Sequence, residues 1–282
     1  MKVTSVHNAL LNSQNCSLDI LRLDQVHPEI SGNKWFNLKY NIEQALNENK
    51  TGLLSFGGAY SNHLHALAFA GKEFSLETAG IIRGEKVMND TLYDCERWGM
   101  KLHFISRSDY RQKYDTDFLN QIRARFPGYF IIPEGGNNDA GIKGCAEILN
   151  HVALNQYDVI ACAVGTGATF TGMLQSALPQ QKLLGFTAIK NGGYLSEEIG
   201  RHTRKTNWKL ITDYHFGGFA KSDHTLLRFM QQFKHENDVE LDFIYTAKMM
   251  SGIFDLTEKG SFRNCRLLTI HTGGLQGNRS LI

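Results

Sequence analysis

Three times along this chain a short apolar stretch runs into a glycine-rich turn, and twice that turn opens a helix. Thr51-Gly52-Leu53-Leu54-Ser55-Phe56 leads into Gly57-Gly58-Ala59-Tyr60-Ser61-Asn62-His63, and Leu64 to Ala70 reads as a helix. Val159 to Val164 is a continuous apolar run, the pattern of a strand buried on both faces. It leads into Gly165-Thr166-Gly167-Ala168-Thr169, and a helix begins at Phe170. Arg266 to Ile270 leads into His271-Thr272-Gly273-Gly274-Leu275-Gln276-Gly277. Further strands over 79–83, 101–105, 129–133 and 182–188 alternate with helices over 89–98, 109–126, 141–154 and 247–259. Between Ala188 and Lys221 the pattern fades, and 221–235 again reads as helix. Strand–helix alternation of this kind predicts parallel βαβ units, an α/β fold with parallel-rich sheets flanked by helices. In such sheets ligands bind beyond the carboxyl ends of the strands, where the glycine turns lie.

A lysine stands apart from the others. Ser31-Gly32-Asn33-Lys34 precedes a helical pattern over 35–46. Glycine and asparagine tolerate the positive backbone angles of a tight turn. Lys34 then sits at the positive end of a helix dipole, which favours its free amine over the ammonium. A free amine condenses with an aldehyde such as pyridoxal phosphate. An isolated lysine is ordinarily a solvated surface charge, so this reading depends on the company Lys34 keeps.

Charge and cysteine usage narrow the class. Thirty basic side chains oppose 28 acidic ones, and no run of five like charges occurs. Nothing in that balance points to nucleic acid or an anionic membrane. Five cysteines, an odd number widely spaced and without Cys-x-x-Cys, fit neither a disulfide framework nor a zinc site. The first sixteen residues carry no apolar signal core, and no apolar run approaches the ~20 residues of a membrane span. A cytoplasmic enzyme-sized chain is the expectation.

The turns carry chemistry of distinct kinds. Gly165 to Thr169 offers successive backbone N–H groups, two hydroxyls and a helix N-terminus, the makings of an anion site. The same residues also make an ordinary tight strand-to-helix turn. The sixth position is Phe170 and no Gly-Lys-Ser/Thr follows, so neither the dinucleotide fingerprint nor the Walker loop is present. Ser61 can hold a carboxylate or relay a proton, Asn62 can donate to a phenolic oxygen, and His63 can lie on an aromatic ring. Ser61 or Asn62 can equally be a helix N-cap, with His63 in water. His63 and His65 lack a third ligand of suitable spacing, which argues against a metal. Tyr245-Thr246 precedes a helix containing Lys248: either an acid–base tyrosine, or a core aromatic beside an N-cap threonine.

Taken in order, Ser31-Gly32-Asn33-Lys34, Gly57 to His63, Ile132-Pro133-Glu134-Gly135-Gly136-Asn137-Asn138, Gly165 to Thr169, Tyr245-Thr246-Ala247-Lys248 and His271 to Gly274 resemble one family. This is the 1-aminocyclopropane-1-carboxylate deaminase and D-cysteine desulfhydrase family of pyridoxal-phosphate enzymes, with the tryptophan-synthase-β-like fold (fold type II). The resemblance spans about Leu21 to Gly277. It implies that Lys34 forms the Schiff base with pyridoxal 5'-phosphate. Asn62 would bond the cofactor's 3′-oxygen, with His63 against the ring. Gly165, Thr166, Gly167, Ala168 and Thr169 would hold the phosphate. Thr246 would face the pyridine nitrogen, and Thr272 would line the cofactor. Ser61 and Tyr245 would be catalytic beside Lys34.

The same resemblance implies two domains, 1–41 with 151–282 forming the larger and 42–150 inserted as the smaller, and a homodimer acting on a small amino acid. The family's deaminases carry glutamate where Thr246 stands, and threonine is the desulfhydrase pattern. A neutral partner makes the ring a weaker electron sink, which suits elimination of thiolate better than opening a cyclopropane. Phe219 stands near the place of a second family tyrosine, and Phe36-Asn37 replaces a family arginine. The expected reaction is β-elimination and deamination to a 2-oxo acid and ammonia, as in a D-cysteine desulfhydrase. The cyclopropane deaminase is the alternative. A binding protein with little turnover, and an α/β protein whose loops hold some other phosphate, are the remaining readings.

Overall fold

The computed structural model describes residues 1–281. Ten strands run along the chain: β1 Val3–Val6, β2 Ser17–Arg22, β3 Gly52–Gly57, β4 Glu77–Arg83, β5 Met100–Ile105, β6 Tyr129–Ile132, β7 Val159–Val164, β8 Lys182–Thr187, β9 Trp208–Ile211 and β10 Arg266–His271. The helices are α1 Ala9–Ser13, α2 Asn33–Asn47, α3 Asn62–Phe74, α4 Asp90–Arg97, α5 Arg107–Tyr110, α6 Thr116–Arg125, α7 Asp139–Ala146, α8 Ala168–Ser176, α9 Leu195–Gly200, α10 His224–Asn237 and α11 Thr246–Glu258.

The strands form two sheets, one of six in the order β1-β2-β10-β7-β8-β9 and one of four in the order β5-β4-β3-β6. Every pairing is parallel except β1 with β2. The period-2 rule sorts the core of the large sheet. Ile160, Cys162 and Val164 enter one apolar cluster with Leu21, Leu268 and Ile270. Val159, Ala161 and Ala163 enter the opposite one with Leu18 and Ile20. Both faces are covered, which is why β7 reads as an unbroken apolar run.

Strand order reverses once in each sheet. β3, β4 and β5 step outward in one direction, and β6 returns to the other side of β3. Likewise β7, β8 and β9 step outward, and β10 returns beside β7. Neighbouring strands whose following connections diverge leave a crevice at their carboxyl ends. The turn after β3 (Gly57–Ser61) and that after β6 (Pro133–Asn137) flank one crevice. Those after β7 (Gly165–Gly167) and β10 (Thr272–Gly274) flank the other.

Some elements differ from the sequence expectation. The predicted helix over 109–126 is two, because the Asp115 carboxylate accepts the N–H groups of Asp117 and Phe118 and starts α6 afresh. The predicted helix over 141–154 stops at Ala146 and continues as short 3-10 turns. The expected division at 41/42 falls inside α2, a continuous helix. Glycines let α7 wedge against its neighbours: a methyl on Gly144 would stand 2.0 Å from Phe36 O, and one on Gly172 of α8 would stand 2.6 Å from Cys145 Cβ.

Candidate active site

Lys34 is the second residue of α2. Gly32, with φ 70°, is the helix N-cap and gives its N–H to Leu23 O at 3.1 Å. A methyl on Gly32 would stand 1.9 Å from Thr272 O, so the loop after β10 lies directly on it. Asn33 N–H donates to the same Thr272 carbonyl at 3.3 Å, and Asn33 Nδ2 donates to Thr169 Oγ1 at 2.6 Å. The residues flanking Lys34 are thereby fixed to both turns of the large sheet's crevice. Lys34 is half-buried. The protein packed around its amine pushes its pKa below the ordinary 10.5. The nearby Cys145 and Cys162 thiols give no compensating charge, because burial raises both and pushes Cys145 up to about 12. The structure therefore favours the uncharged amine.

The turn after β7 places Gly167, with φ 101°, as N-cap of α8. The first N–H groups of that helix have no partner within it. A methyl on Gly135 would stand 2.5 Å from Thr166 Oγ1, bringing the turn after β6 against the turn after β7. Thr169 is placed differently from its neighbours. Its hydroxyl accepts from Asn33 and faces Asn37 Oδ1 at 3.4 Å. That side chain ties down α2, and its backbone N–H is what remains for an anion.

Ser61 is the N-cap of α3, its Oγ accepting Leu64 N–H at 3.2 Å. His63 is 3 % exposed, which removes the solvated alternative. Its Nε2 lies 2.9 Å from Ser55 Oγ. Ser55 has one proton, directed at Ile132 O at 2.7 Å, so Ser55 accepts from His63 and the imidazole carries its proton on Nε2. His63 Nδ1 is then a bare acceptor, buried and without a partner among the described residues. Burial, with protonated Lys34 acting in the same direction, lowers its pKa to about 3, so the ring stays neutral whichever form the amine takes. Asn62 Oδ1 accepts from Gln276 Nε2 at 2.7 Å, and a methyl on Gly274 would stand 2.5 Å from Asn62 Nδ2. The two crevices thus face each other across Asn62 and Gly274.

Tyr245 leans on the phosphate-type turn: a methyl on Gly165 would stand 3.2 Å from its hydroxyl oxygen. Burial, with Asp242 and Glu134 nearby, raises its pKa, so the phenol is a proton donor rather than a base. Thr246 is not a side-chain cap. Its hydroxyl donates to Asp242 Oδ1 at 2.6 Å and accepts Asp242 N–H at 2.8 Å. The buried Asp242 carboxylate caps the whole turn, taking the N–H groups of Ile244, Tyr245 and Thr246. The Phe219 ring meets Tyr245 edge-on at 6.0 Å.

Comparison with known proteins fits this geometry. The family model described as pyridoxal-phosphate dependent enzyme matches residues 11–273. The chain belongs to that family. A candidate 1-aminocyclopropane-1-carboxylate deaminase from Thermotoga maritima is 29 % identical over 273 residues, covering 88 % of this chain and 85 % of the relative. The bifunctional D-cysteine desulfhydrase/1-aminocyclopropane-1-carboxylate deaminase of Arabidopsis thaliana is 27 % identical over 290 residues, covering 92 % and 72 %. The crystal structure of a 1-aminocyclopropane-1-carboxylate deaminase homologue superposes with a TM-score of 0.85 at 22 % identity, covering 98 % of this chain and 90 % of that one. The fold is that of the fold type II pyridoxal-phosphate enzymes.

The residues present suit this family's cofactor. Pyridoxal phosphate needs an uncharged amine, an anion cradle and a donor for its phenolic oxygen. Lys34, the turn before α8 and the Asn62 amide have that chemistry. The orphaned His63 Nδ1 is a buried polar atom left unsatisfied among the described residues.

Four supporting residues carry no local sequence signal: Ser55, Asp242, Gln276 and the buried role of Lys248. Lys248 is 2 % exposed and donates to the carbonyls of His215 at 2.9 Å and Gly218 at 2.7 Å, clamping the loop that carries Phe219. Burial lowers its pKa from 10.5 to about 8. Between those values the unfolded chain binds a proton that the folded chain has shed, so stability rises as pH rises through this window. The expected gain is up to about 3 kcal/mol. Urea midpoints near pH 7.5 and pH 10 test it. Lys248→Met should lack the rise, and an identical rise in both proteins would show that Lys248 is not its source.

Proposed function

We propose that this pyridoxal-phosphate enzyme eliminates the β-substituent of a small amino acid, water then releasing ammonia and a 2-oxo acid, with D-cysteine the substrate whose chemistry fits best. One observation carries the reading: Lys34, its amine favoured neutral by burial, follows Asn33, which is bonded to Thr169 and Thr272 on the two sides of the large sheet's crevice. Bound pyridoxal phosphate supplies the electron sink. The first-turn N–H groups of α8, with Gly165 to Ala168 and the backbone of Thr169, hold the phosphate. Asn62 donates to the phenolic oxygen, and Thr272 borders the cofactor through its loop.

The protein's own groups then manage protons. The Lys34 amine takes the proton from the substrate α-carbon. His63, fixed as the Nε2–H tautomer by Ser55, offers Nδ1 as a neutral acceptor and adds no positive charge beside that amine. Ser61, whose Oγ accepts from Leu64, keeps its own proton to donate to the substrate carboxylate. Tyr245, held protonated, donates toward the departing β-substituent.

Two features favour a good leaving group. Thr246 is neutral toward the ring nitrogen, and the Asp242 charge behind it is occupied by that turn's N–H groups and by the Thr246 hydroxyl. Phe219 makes an apolar wall beside Tyr245. A thiolate leaves with little help from acid, whereas opening a cyclopropane needs more. The names of the relatives, which include both activities, support this class and its alternative. We also propose a two-domain cytoplasmic homodimer. Five unbridged cysteines suit a reducing compartment.

Cofactor-loaded protein is given D-cysteine, L-cysteine or 1-aminocyclopropane-1-carboxylate separately, and 2-oxo acid and sulfide are measured. Pyruvate with sulfide from D-cysteine is expected. Release of 2-oxobutyrate from the cyclopropane alone would make the deaminase the correct reading. No product from any, with cofactor bound, would overturn both.

A further inference from the structure

The last described segment, 3-10 turns over Leu275–Leu281, reaches from the large sheet to the smaller one. Arg279 Nη2 donates to Asp94 Oδ2 on α4 at 2.5 Å, and the same carboxylate oxygen lies 3.3 Å from His65 Nε2 on α3. Three residues before Arg279, Gln276 Nε2 donates to Asn62 Oδ1 at 2.7 Å. The segment is thus anchored on α4 and on the first residue of α3 together.

A pair of facing amides has two self-consistent arrangements. Either Gln276 donates to the Asn62 oxygen, or Asn62 donates to the Gln276 oxygen. They differ in what Asn62 has left to offer: an NH2 group in the first, a carbonyl oxygen in the second. The structure has the first. Asn62 Nδ2 then lies beside Gly274, where an added methyl would stand 2.5 Å from it and 3.3 Å from Asp242 Cγ. Gly274, at φ 93°, is the residue that leaves the room. A phenolic oxygen arriving at Asn62 is an acceptor. Only the first arrangement greets it with a donor, and the second sets lone pair against lone pair.

We propose that Gln276 is the positioning residue that holds the Asn62 amide with its NH2 group toward bound pyridoxal phosphate, which makes the C-terminal segment part of the cofactor site. This rests on the reading that Asn62 meets the phenolic oxygen. Arg279, by tying the segment to Asp94, keeps Gln276 in register with α3. A donor at that oxygen stabilises its anionic form and so lowers the pH at which the visible absorption of the bound cofactor changes.

Three replacements separate orientation from simple loss. Gln276→Lys is a donor only and preserves the arrangement. Gln276→Glu is an acceptor only and draws the Asn62 NH2 group to itself. Gln276→Leu is neither. Pyridoxal-phosphate affinity is measured by equilibrium dialysis, the absorption midpoint by pH titration, and folding by the melting temperature without cofactor. Lys34, His63 and Asp242, the ionisable groups around this point, are unchanged in all three. Gln276→Glu is expected to bind at least about tenfold more weakly and to raise the midpoint by about one pH unit. Gln276→Lys should stay within about threefold of the original protein, with Gln276→Leu between them. Equal weakening by Lys and Glu, or no weakening by Glu, would overturn the proposal. Borohydride reduction of the unmodified protein supplies the separate control. If no cofactor is trapped on Lys34, the parent reading falls and takes this one with it.

Discussion

Lys34→Ala, saturated with pyridoxal phosphate, is expected to lose more than about a thousandfold in turnover and to yield no borohydride-stable adduct at position 34. The size follows from two jobs assigned to one amine: covalent capture of the cofactor and proton removal at the substrate α-carbon. No neighbour can take over. The Cys145 and Cys162 thiols are held protonated by burial, and Lys248 is spent on the carbonyls of His215 and Gly218. Mass analysis of the reduced protein and single-turnover rates check the two jobs separately. Turnover at the original rate with bound cofactor would remove Lys34 from the mechanism.

The largest effect on stability is expected at Gly32→Ala. The added methyl would sit 1.9 Å from Thr272 O and 2.4 Å from Thr272 C, both backbone atoms, and φ at this position is 70°. Left-handed strain alone costs about 1–3 kcal/mol. Relieving the overlap also requires the loop before α2 to move away from the loop after β10, so a total of about 3 kcal/mol or more is expected. That movement breaks the Asn33 N–H bond to Thr272 O and displaces Lys34, so cofactor affinity should fall with stability. Gly200→Ala is the control. Nothing lies within 4 Å of its added methyl, and it ends α9 without a positive φ. It should be neutral or stabilising by up to about 1 kcal/mol. A similar urea midpoint for both variants would show that the Gly32 contact does not constrain the fold.

Much of the architecture was legible because its signals are local. A buried parallel strand is a short apolar run, and a turn that reverses direction needs glycine, so β3, β7 and β10 with their turns could be read directly. β1 and β2 could not. Leu18, Ile20 and Leu21 are interrupted by Asp19, and β2 becomes a strand because β10, from the far end of the chain, pairs along its whole length. The break between α5 and α6 was missed because Asp115 reads as one more charge in a charged helix until its carboxylate is seen on two backbone N–H groups.

The site divides in the same way. Order and residue type carried the resemblance to one pyridoxal-phosphate family, because the lysine at a helix start, the serine–asparagine–histidine turn, the glycine–threonine turn and the tyrosine each lie in a contiguous motif. Tertiary structure alone decided how their atoms are committed. Thr169 and Thr246, read as cofactor contacts, have hydroxyls bound by Asn33 and Asp242. His63 is neutral with its proton on Nε2 because Ser55, on another element, has only a lone pair to offer. Gln276, far along the chain from Asn62, holds its amide. A hydroxyl has one proton and an amide one face for each role, so what a residue can do for a ligand depends on which neighbours have already claimed its atoms. Those neighbours are assembled by strand order and crevice geometry, and residue type and local spacing do not encode them.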